Sequence, residues 1–491
     1  MSKTVIVGGG VTGLATAYYL REFGVGAAGC TLVEGSSRVG GKVTSMEESG
    51  FLVEGGPDSF LAQKQIAKDL CVDLGLEDEL IGSNSTQKTS TYVLSGGHLH
   101  PMPQGMMLMA PTMILPILRS RLISWPGKLR MGLELLVRRR REQHDESLAS
   151  FVRRRLGREV LDKIAAPLMA GIHAADPERL SLQSTFPMFA EMEQAHGSLL
   201  LAMFRRKTRR KRVQAGHGAK RGPMFLSLAG GVQRMTDALA ARLEPQQIRL
   251  NSRVRDVTRD NNHYRIEMVD GSILYADNIV FATPAYVTAE IIESLDPLLA
   301  KRLRAIRYAS TATVSLGFRR SELNCELQGL GFIVPASELR RINACTWSST
   351  KFSHRAPEDR VLIRVFIGGA LSEELAEQDE ASLIELARQE LGEILGITAT
   401  PVLAKAYRWH KASPQYDVNH QALVRELEQI AAMHPGLYLA GAAYRGAGIP
   451  DCVTQARDTA LKIAHAEAHV CFNGEPDLAL QNSEENVHVH S

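Results

Sequence analysis

"KTVIVGGGVTGLATAYYLREFG", residues 3–24, decides the fold. Four β-branched residues, Thr4 to Val7, make a short strand, and Gly8-x-Gly10-x-x-Gly13 follows at once. Apolar Leu14, Ala17, Tyr18 and Leu20 then recur at helical spacing. Gly8 permits the tight turn, Gly10 lets the backbone approach a pyrophosphate, and Gly13 lets the helix pack close on the strand. The phosphate would rest on the helix N-terminus, where free N–H groups and the dipole favour an anion.

The next strand, "CTLVEG" (30–35), ends in Glu34, twenty-one residues past Gly13. There an acid accepts hydrogen bonds from an adenosine ribose, so dinucleotide binding outweighs a surface glutamate. "SSRVGGKV" (36–43) sets Arg38, Gly40, Gly41 and Lys42 directly after it, a second phosphate-facing turn suited to a long cofactor such as FAD. In "SMEESGFLVEGGPDSFLAQK" (45–64), Gly55, Gly56, Pro57 and Asp58 interrupt a strand. Bare backbone at that point can lie against a flat ring, which makes this the loop beside the isoalloxazine. A plain strand-ending turn is the competing reading.

The far end repeats the pattern. "GLYLAGAAYRGAGIPDCVTQARDTALKIAHAEA" (436–468) runs from a strand into Gly441, a loop with Gly446 and Gly448, and then Ile449, Pro450 and a long amphipathic helix. The helix start aims the positive end of its dipole into that loop. Between the two ends, residues 248–284 alternate apolar and polar across an Asp270-Gly271 turn, which predicts an antiparallel hairpin, and "NIVFATP" returns to the main sheet. The expected fold class is therefore α/β, with a Rossmann-like domain assembled from noncontiguous segments.

Composition fits this. The chain has 491 residues, 44% hydrophobic and 23% charged, enough for a large core and interwoven domains. Six scattered cysteines show neither disulfide nor zinc spacing, which predicts a reducing, cytoplasmic setting and no metal. The start shows no export signal, and "GMMLMAPTMILPIL" (105–118) is too short to span a bilayer. Runs of arginine at 138–141 and 153–155 read as solvated helix faces. "RRKTRRKR" (205–212) sits in a glycine-rich loop that could attract an acidic ligand or anionic lipid. It lacks aromatic interleaving, so no nucleic-acid partner is expected.

Together with these glycine patterns, "LMAGIHAADPERLSLQSTFPMF" (168–189), "YRWHKASPQY" (407–416) and "GIPDC" make the chain resemble bacterial protoporphyrinogen and coproporphyrinogen oxidases, almost end to end. "RVGGK" alone would indicate only the wider superfamily of amine oxidases and phytoene desaturases. The resemblance implies FAD contacts at Gly8, Gly9, Gly10, Val11, Thr12, Gly13, Glu34, Gly35, Lys42, Gly56, Pro57, Asp58, Ser59, Val254, Trp409, Gly448 and Ile449. Arg38, Gly41 and Gly441 join them from the loop patterns. Val254 reads equally as a core valine.

The implied organisation is a flavin-binding domain in three parts, 1–80, 226–290 and 416–470, with a helical and substrate-binding insertion at 81–225. A second part of the α+β substrate domain spans 291–415, and a disordered tail spans 471–491. The implied activity is flavin-dependent oxidation of a porphyrinogen, with molecular oxygen as acceptor, in haem biosynthesis. No catalytic base is nominated. His173 and Arg179 are substrate candidates, the first open to a packing role and the second to a solvent role.

The Met- and Leu-rich segment 98–136, with Arg119, Arg121, Lys128 and Arg130, suits either core packing or peripheral attachment at the inner face of the membrane. Monomer and homodimer both stay open. The competing functions are another flavin oxidase of this fold, against which "GIHAADPERLS" argues, and a non-catalytic escort protein, against which the intact glycine loops argue.

Overall fold

The computed structural model describes residues 3–25, 29–84, 91–140, 144–205 and 222–472. Most of the glycine-rich basic stretch, including Arg206, Arg209 and Arg210, lies outside the described residues, as does the tail from 473. Residues 471 and 472, assigned to the tail by sequence, instead finish the C-terminal helix Ile449–Phe472.

A parallel sheet of five strands organises one domain, in the order Ile248–Arg249, Cys30–Val33, Thr4–Val7, Asn278–Phe281, Leu437–Leu439. Side chains alternate across it. Ile6, Leu32 and Val280 enter one core beneath the helices Val11–Glu22, Gln65–Asp73, Gln233–Ala241 and Ile449–Phe472. Val5, Val7, Val33, Ile279 and Phe281 enter another, under Ala285–Ile291, Pro297–Arg304 and His420–Ala431. Burial on both faces explains why these strands read as apolar runs rather than alternations.

The predicted hairpin is a three-stranded meander, Val254–Asp260, His263–Met268 and Ile273–Ala276. The Asp270-Gly271 turn is present. A second turn at Asn261-Asn262 precedes it, and Asn261 adopts φ +53°, a conformation asparagine tolerates better than most residues.

A seven-stranded sheet stands beside this domain. Its order is Leu403–Pro414, Tyr308–Arg319, Arg360–Gly368, Ala344–Trp347, Gly331–Ile333, Thr91–Ser95, His98–Pro101, with the pair 331–333 and 91–95 parallel and the other pairs antiparallel. The helix Glu380–Leu395 buries Leu383, Leu386, Ala387 and Leu391 against it. A third cluster, around Phe151 and Phe189, holds the helices between residues 114 and 203 together.

That cluster corrects one reading of the arginine runs. Arg153 is exposed beside Glu178, but Arg155 is fully buried, pairing Glu134 (3.1 Å) and Glu193 (2.5 Å). Successive helical residues point about 100° apart, so a run of three on Leu148–Arg155 reaches from solvent into the core. Conversely, the segment 113–136 leaves much apolar surface outside: Trp125 is 70% exposed, Leu129 68% and Leu136 77%.

Candidate active site

A cleft of about 600 Å³ opens where the carboxyl ends of the parallel strands meet the seven-stranded sheet, the place where open α/β sheets hold ligands. Of the residues expected from sequence, it is lined by Gly8, Gly10, Val11, Thr12, Glu34, Gly41, Lys42, Gly56, Pro57, His173, Trp409 and Ile449.

The two N-terminal glycine loops are knitted together at its floor. Gly40 N–H donates to Gly9 O (2.8 Å), and Gly10 and Gly40 form an isolated parallel bridge. The three motif glycines differ in why they must be glycine. A methyl on Gly13 would stand 1.9 Å from Gly8 O, inside the strand–helix contact, and Gly8 has φ +109°. A methyl on Gly10 would meet no protein atom within 4 Å, so what it keeps free is the cleft itself.

Glu34 accepts from Gly9 N–H (2.7 Å) and from both Ser36 N–H and Ser36 Oγ (2.8 Å each). A carboxylate has about four acceptor sites, so one remains for a ribose hydroxyl. Lys42 is half-buried, donates to the Ala412 carbonyl, and among the described residues pairs with no carboxylate. Burial pulls its ammonium down to about 8.

The Gly55-Gly56 turn forms the opposite wall. Gly55 O accepts from Trp409 Nε1 (2.8 Å), Thr313 Oγ1 (3.1 Å) and Arg364 Nη2 (3.1 Å), and Gly56 O accepts from the same Nη2 (2.5 Å). Those donors come from three adjacent strands of the seven-stranded sheet. A methyl on Gly55 would come 2.5 Å from Thr44 Cγ2, and one on Gly56 would come 1.8 Å from Lys42 O. The break in regular structure therefore brings bare backbone to the cleft and bolts the two domains together.

At the third corner, Tyr416 OH donates to Ala442 O (2.7 Å) and accepts from Gly446 N–H (2.9 Å), which sets the C-terminal glycine loop. Ile449 and Cys452, in the first turn of the last helix, face the cleft. Gly441 and Gly448 stand behind the lining: Gly441 has φ +126°, and Gly448 abuts Asp451.

Other expected residues lie elsewhere. Asp58 turns away from the cleft, accepting from Lys351 Nζ (2.9 Å to each oxygen) and from Ser59 Oγ (2.6 Å). Burial alone would raise its carboxyl, but the Lys351 ammonium and Arg364 guanidinium hold it well below the usual range. Arg38 donates to the Val39, Gly41 and Val43 carbonyls, so it shapes the second loop without lining the cleft. Gly35 packs on Arg253, and the Val254 side chain lies in the core, leaving only its backbone to offer a ligand. Gly9 serves through its N–H and carbonyl.

The two substrate candidates are separated. His173 lines the cleft edge-on to Phe186 (5.7 Å between centroids), and burial pushes its imidazole down to about 4. Arg179 is 54% exposed, outside the cleft, and paired with Asp417 (2.8 Å), which Arg307 also grips. A surface guanidinium beside "ADPER" has a carboxylate within reach and no reason to turn inward. Sequence reading missed Arg364, Thr313, Asn343 and Phe366. The signal for the first was available: a single arginine inside the apolar strand "RVLIRVFIG".

Comparison with known proteins accords with this geometry. Residues 11–464 match the family of flavin containing amine oxidoreductases. Coproporphyrinogen III oxidase of Bacillus subtilis (strain 168) is 36% identical over 458 residues, covering 92% of this chain and 96% of that protein. Protoporphyrinogen oxidase 1, chloroplastic, of Arabidopsis thaliana is 29% identical, covering 94% and 87%. A crystal structure from Exiguobacterium sp. 255-15, provisionally named a protoporphyrinogen oxidase, superposes with TM-score 0.82 at 32% identity, covering 95% and 99%. The chain belongs to the flavin containing amine oxidoreductase family. It is an FAD-dependent oxidoreductase, and its cleft suits that cofactor: an open face at Gly10, a free acceptor position on Glu34 and, at Lys42, a half-buried cation with no carboxylate partner among the described residues.

Two outcomes follow. Gly10→Val should yield folded protein that purifies without flavin, whereas Gly13→Val should fail to fold; a yellow, fully loaded Gly10→Val protein would contradict this reading. Protonated Lys42 is the form that pairs an anion, so the affinity of flavin-stripped protein for FAD should fall as pH rises through about 8. Lys42→Met should flatten that dependence, and identical pH profiles for the two proteins would remove Lys42 from the binding site.

Proposed function

We propose that the enzyme oxidises coproporphyrinogen III to coproporphyrin III in haem biosynthesis, with molecular oxygen as final acceptor. The observation that carries this is the 36% identity, over nearly both full lengths, with an enzyme bearing that name, against 29% for one named for protoporphyrinogen. Gly8 to Gly13, Glu34 and Lys42 would hold the adenosine and pyrophosphate of FAD, and the Gly55-Gly56 turn, Trp409 and Ile449 would line the ring's place. FAD held there would supply a two-electron acceptor for the macrocycle, with molecular oxygen as the final acceptor.

Ile172, Phe366 and Ile367 give the remaining wall an apolar character that suits a flat macrocycle, excludes water and orients it. His173, held neutral at pH 7, is a poor proton acceptor. General bases contribute about 10²–10⁴-fold, and this site does not rely on one; protons leave to water or to the macrocycle nitrogens.

Aerobic turnover of coproporphyrinogen III and protoporphyrinogen IX, followed side by side by porphyrin fluorescence, tests the assignment. A preference of about tenfold or more for the first is expected. The reverse preference would reassign the substrate, and bound flavin with neither activity would return the chain to the amine oxidases.

We further propose that the enzyme works in the cytoplasm and touches the inner face of the membrane through segment 113–136. Among the described residues no helix is long and apolar enough to cross a membrane. The exposed Trp125, Leu129 and Leu136 lie in a segment that also carries Arg119, Arg121 and Arg130, and Lys128 sits 4.5 Å over the Trp125 ring. Apolar surface flanked by cations binds anionic lipid. Co-sedimentation with vesicles containing phosphatidylglycerol, weakened by Trp125→Ser with Leu129→Ser, is the expected result; equal binding by the variant would refute this contact.

A further inference from the structure

Behind the Gly55-Gly56 turn lies a cluster of five charges, three of them buried (Glu54, Arg355 and Arg364) and two part-buried (Asp58 and Lys351). Lys351 meets Asp58 (2.9 Å), Arg355 meets Glu54 (3.5 Å), and Arg364 completes the group. Glu54 is otherwise occupied by Ser45 Oγ (2.6 Å) and Val232 N–H (2.9 Å). Among the described residues this leaves three cations against two carboxylates. Arg364 carries the excess: the carboxylate nearest it is already gripped on both oxygens by Lys351.

Arg364 is 3% exposed, and among the described residues its Nε–H has no hydrogen-bond partner, yet the residue lines the cleft. An uncompensated buried charge is costly, and removing it would ordinarily stabilise a fold. A protein that keeps one against its cofactor cleft has a use for it when negative charge arrives there. We propose that Arg364 is a positioning residue that sets the reduction potential of the bound flavin, holding the Gly55-Gly56 turn with one nitrogen while its surplus charge favours electron uptake by the ring beside that turn.

The inference rests on the reading that the cleft holds flavin. Electrons arriving on the ring add negative charge, which a nearby cation in a low-dielectric wall stabilises. The same cation adds nothing to the oxidised, neutral ring, so its effect falls on the potential rather than on affinity for FAD. Thr313 offers an internal control, because it bonds the same carbonyl without charge.

The test is the midpoint potential of the bound flavin, measured by equilibrium dye titration in the loaded protein, after flavin content has been determined. Arg364→Met should make the potential more negative by at least a tenfold change in the reduced-to-oxidised ratio, about 30 mV for a two-electron couple. Arg364→Lys should stay near wild type, and Thr313→Val should leave the potential unchanged. Lys351→Met removes a cation of the same cluster without touching the glycine turn, and should shift the potential in the same direction.

If Arg364→Met cannot hold flavin, Lys351→Met decides alone. Loaded variants with unchanged potential would overturn the inference. So would a shift in Thr313→Val equal to that in Arg364→Met, which would assign the effect to the turn's geometry. Weakened porphyrinogen binding at unchanged potential would make Arg364 a substrate residue instead. Wild-type protein that binds no flavin would sink the underlying reading, a result distinct from all of these.

Discussion

The architecture turns on one carbonyl. Gly55 O receives an indole N–H, a threonine hydroxyl and a guanidinium from three neighbouring strands of a sheet that is remote in sequence. A typical hydrogen bond contributes about 0.5–1.5 kcal/mol net, and one to a charged group about 1.5–3. More important is what the bonds fix: the turn must come within reach of all three donors, which no side chain at 55 or 56 would allow. The glycines are set there by close approach, and the cleft wall follows.

The cleft then has three independent anchors. The knitted loops 8–13 and 38–42 supply backbone N–H groups and Lys42, the Gly55-Gly56 turn supplies a flat backbone surface, and the loop set by Tyr416 brings up the start of the last helix. Each anchor belongs to a different part of the chain, so the site forms only when the segments assemble. Its electrostatics are consistent throughout: Lys42, Arg364 and two helix N-termini line the cleft, a setting that favours a ligand carrying a pyrophosphate and gaining negative charge on reduction.

Much of this was readable beforehand because local rules dictate it. Strand–glycine–helix spacing around Gly8 to Gly13, the acid at 34 and the terminal glycine loop are short-range patterns with one physical solution. What could not be read depends on tertiary partners. Asp58 looked like a cofactor contact in "GGPDSF" but answers to Lys351, almost three hundred residues away. Arg179 answers to Asp417, and the inward turn of Arg155 depends on Glu134 and Glu193. Arg364 was the one remote residue with a local mark, a charge in the middle of an apolar strand, and its partners at 55 and 56 show why it is tolerated.

The central claim is that the cleft binds an extended dinucleotide along its whole length, with the adenosine end held by Glu34 and the phosphates by the glycine loops. Calorimetric titration of flavin-stripped protein with FAD and with FMN tests it most directly. Tight binding of FAD is expected, with a loss of at least about a hundredfold, or ~2.7 kcal/mol, for FMN, which lacks the adenosine and one phosphate. Equal affinity for the two would contradict it.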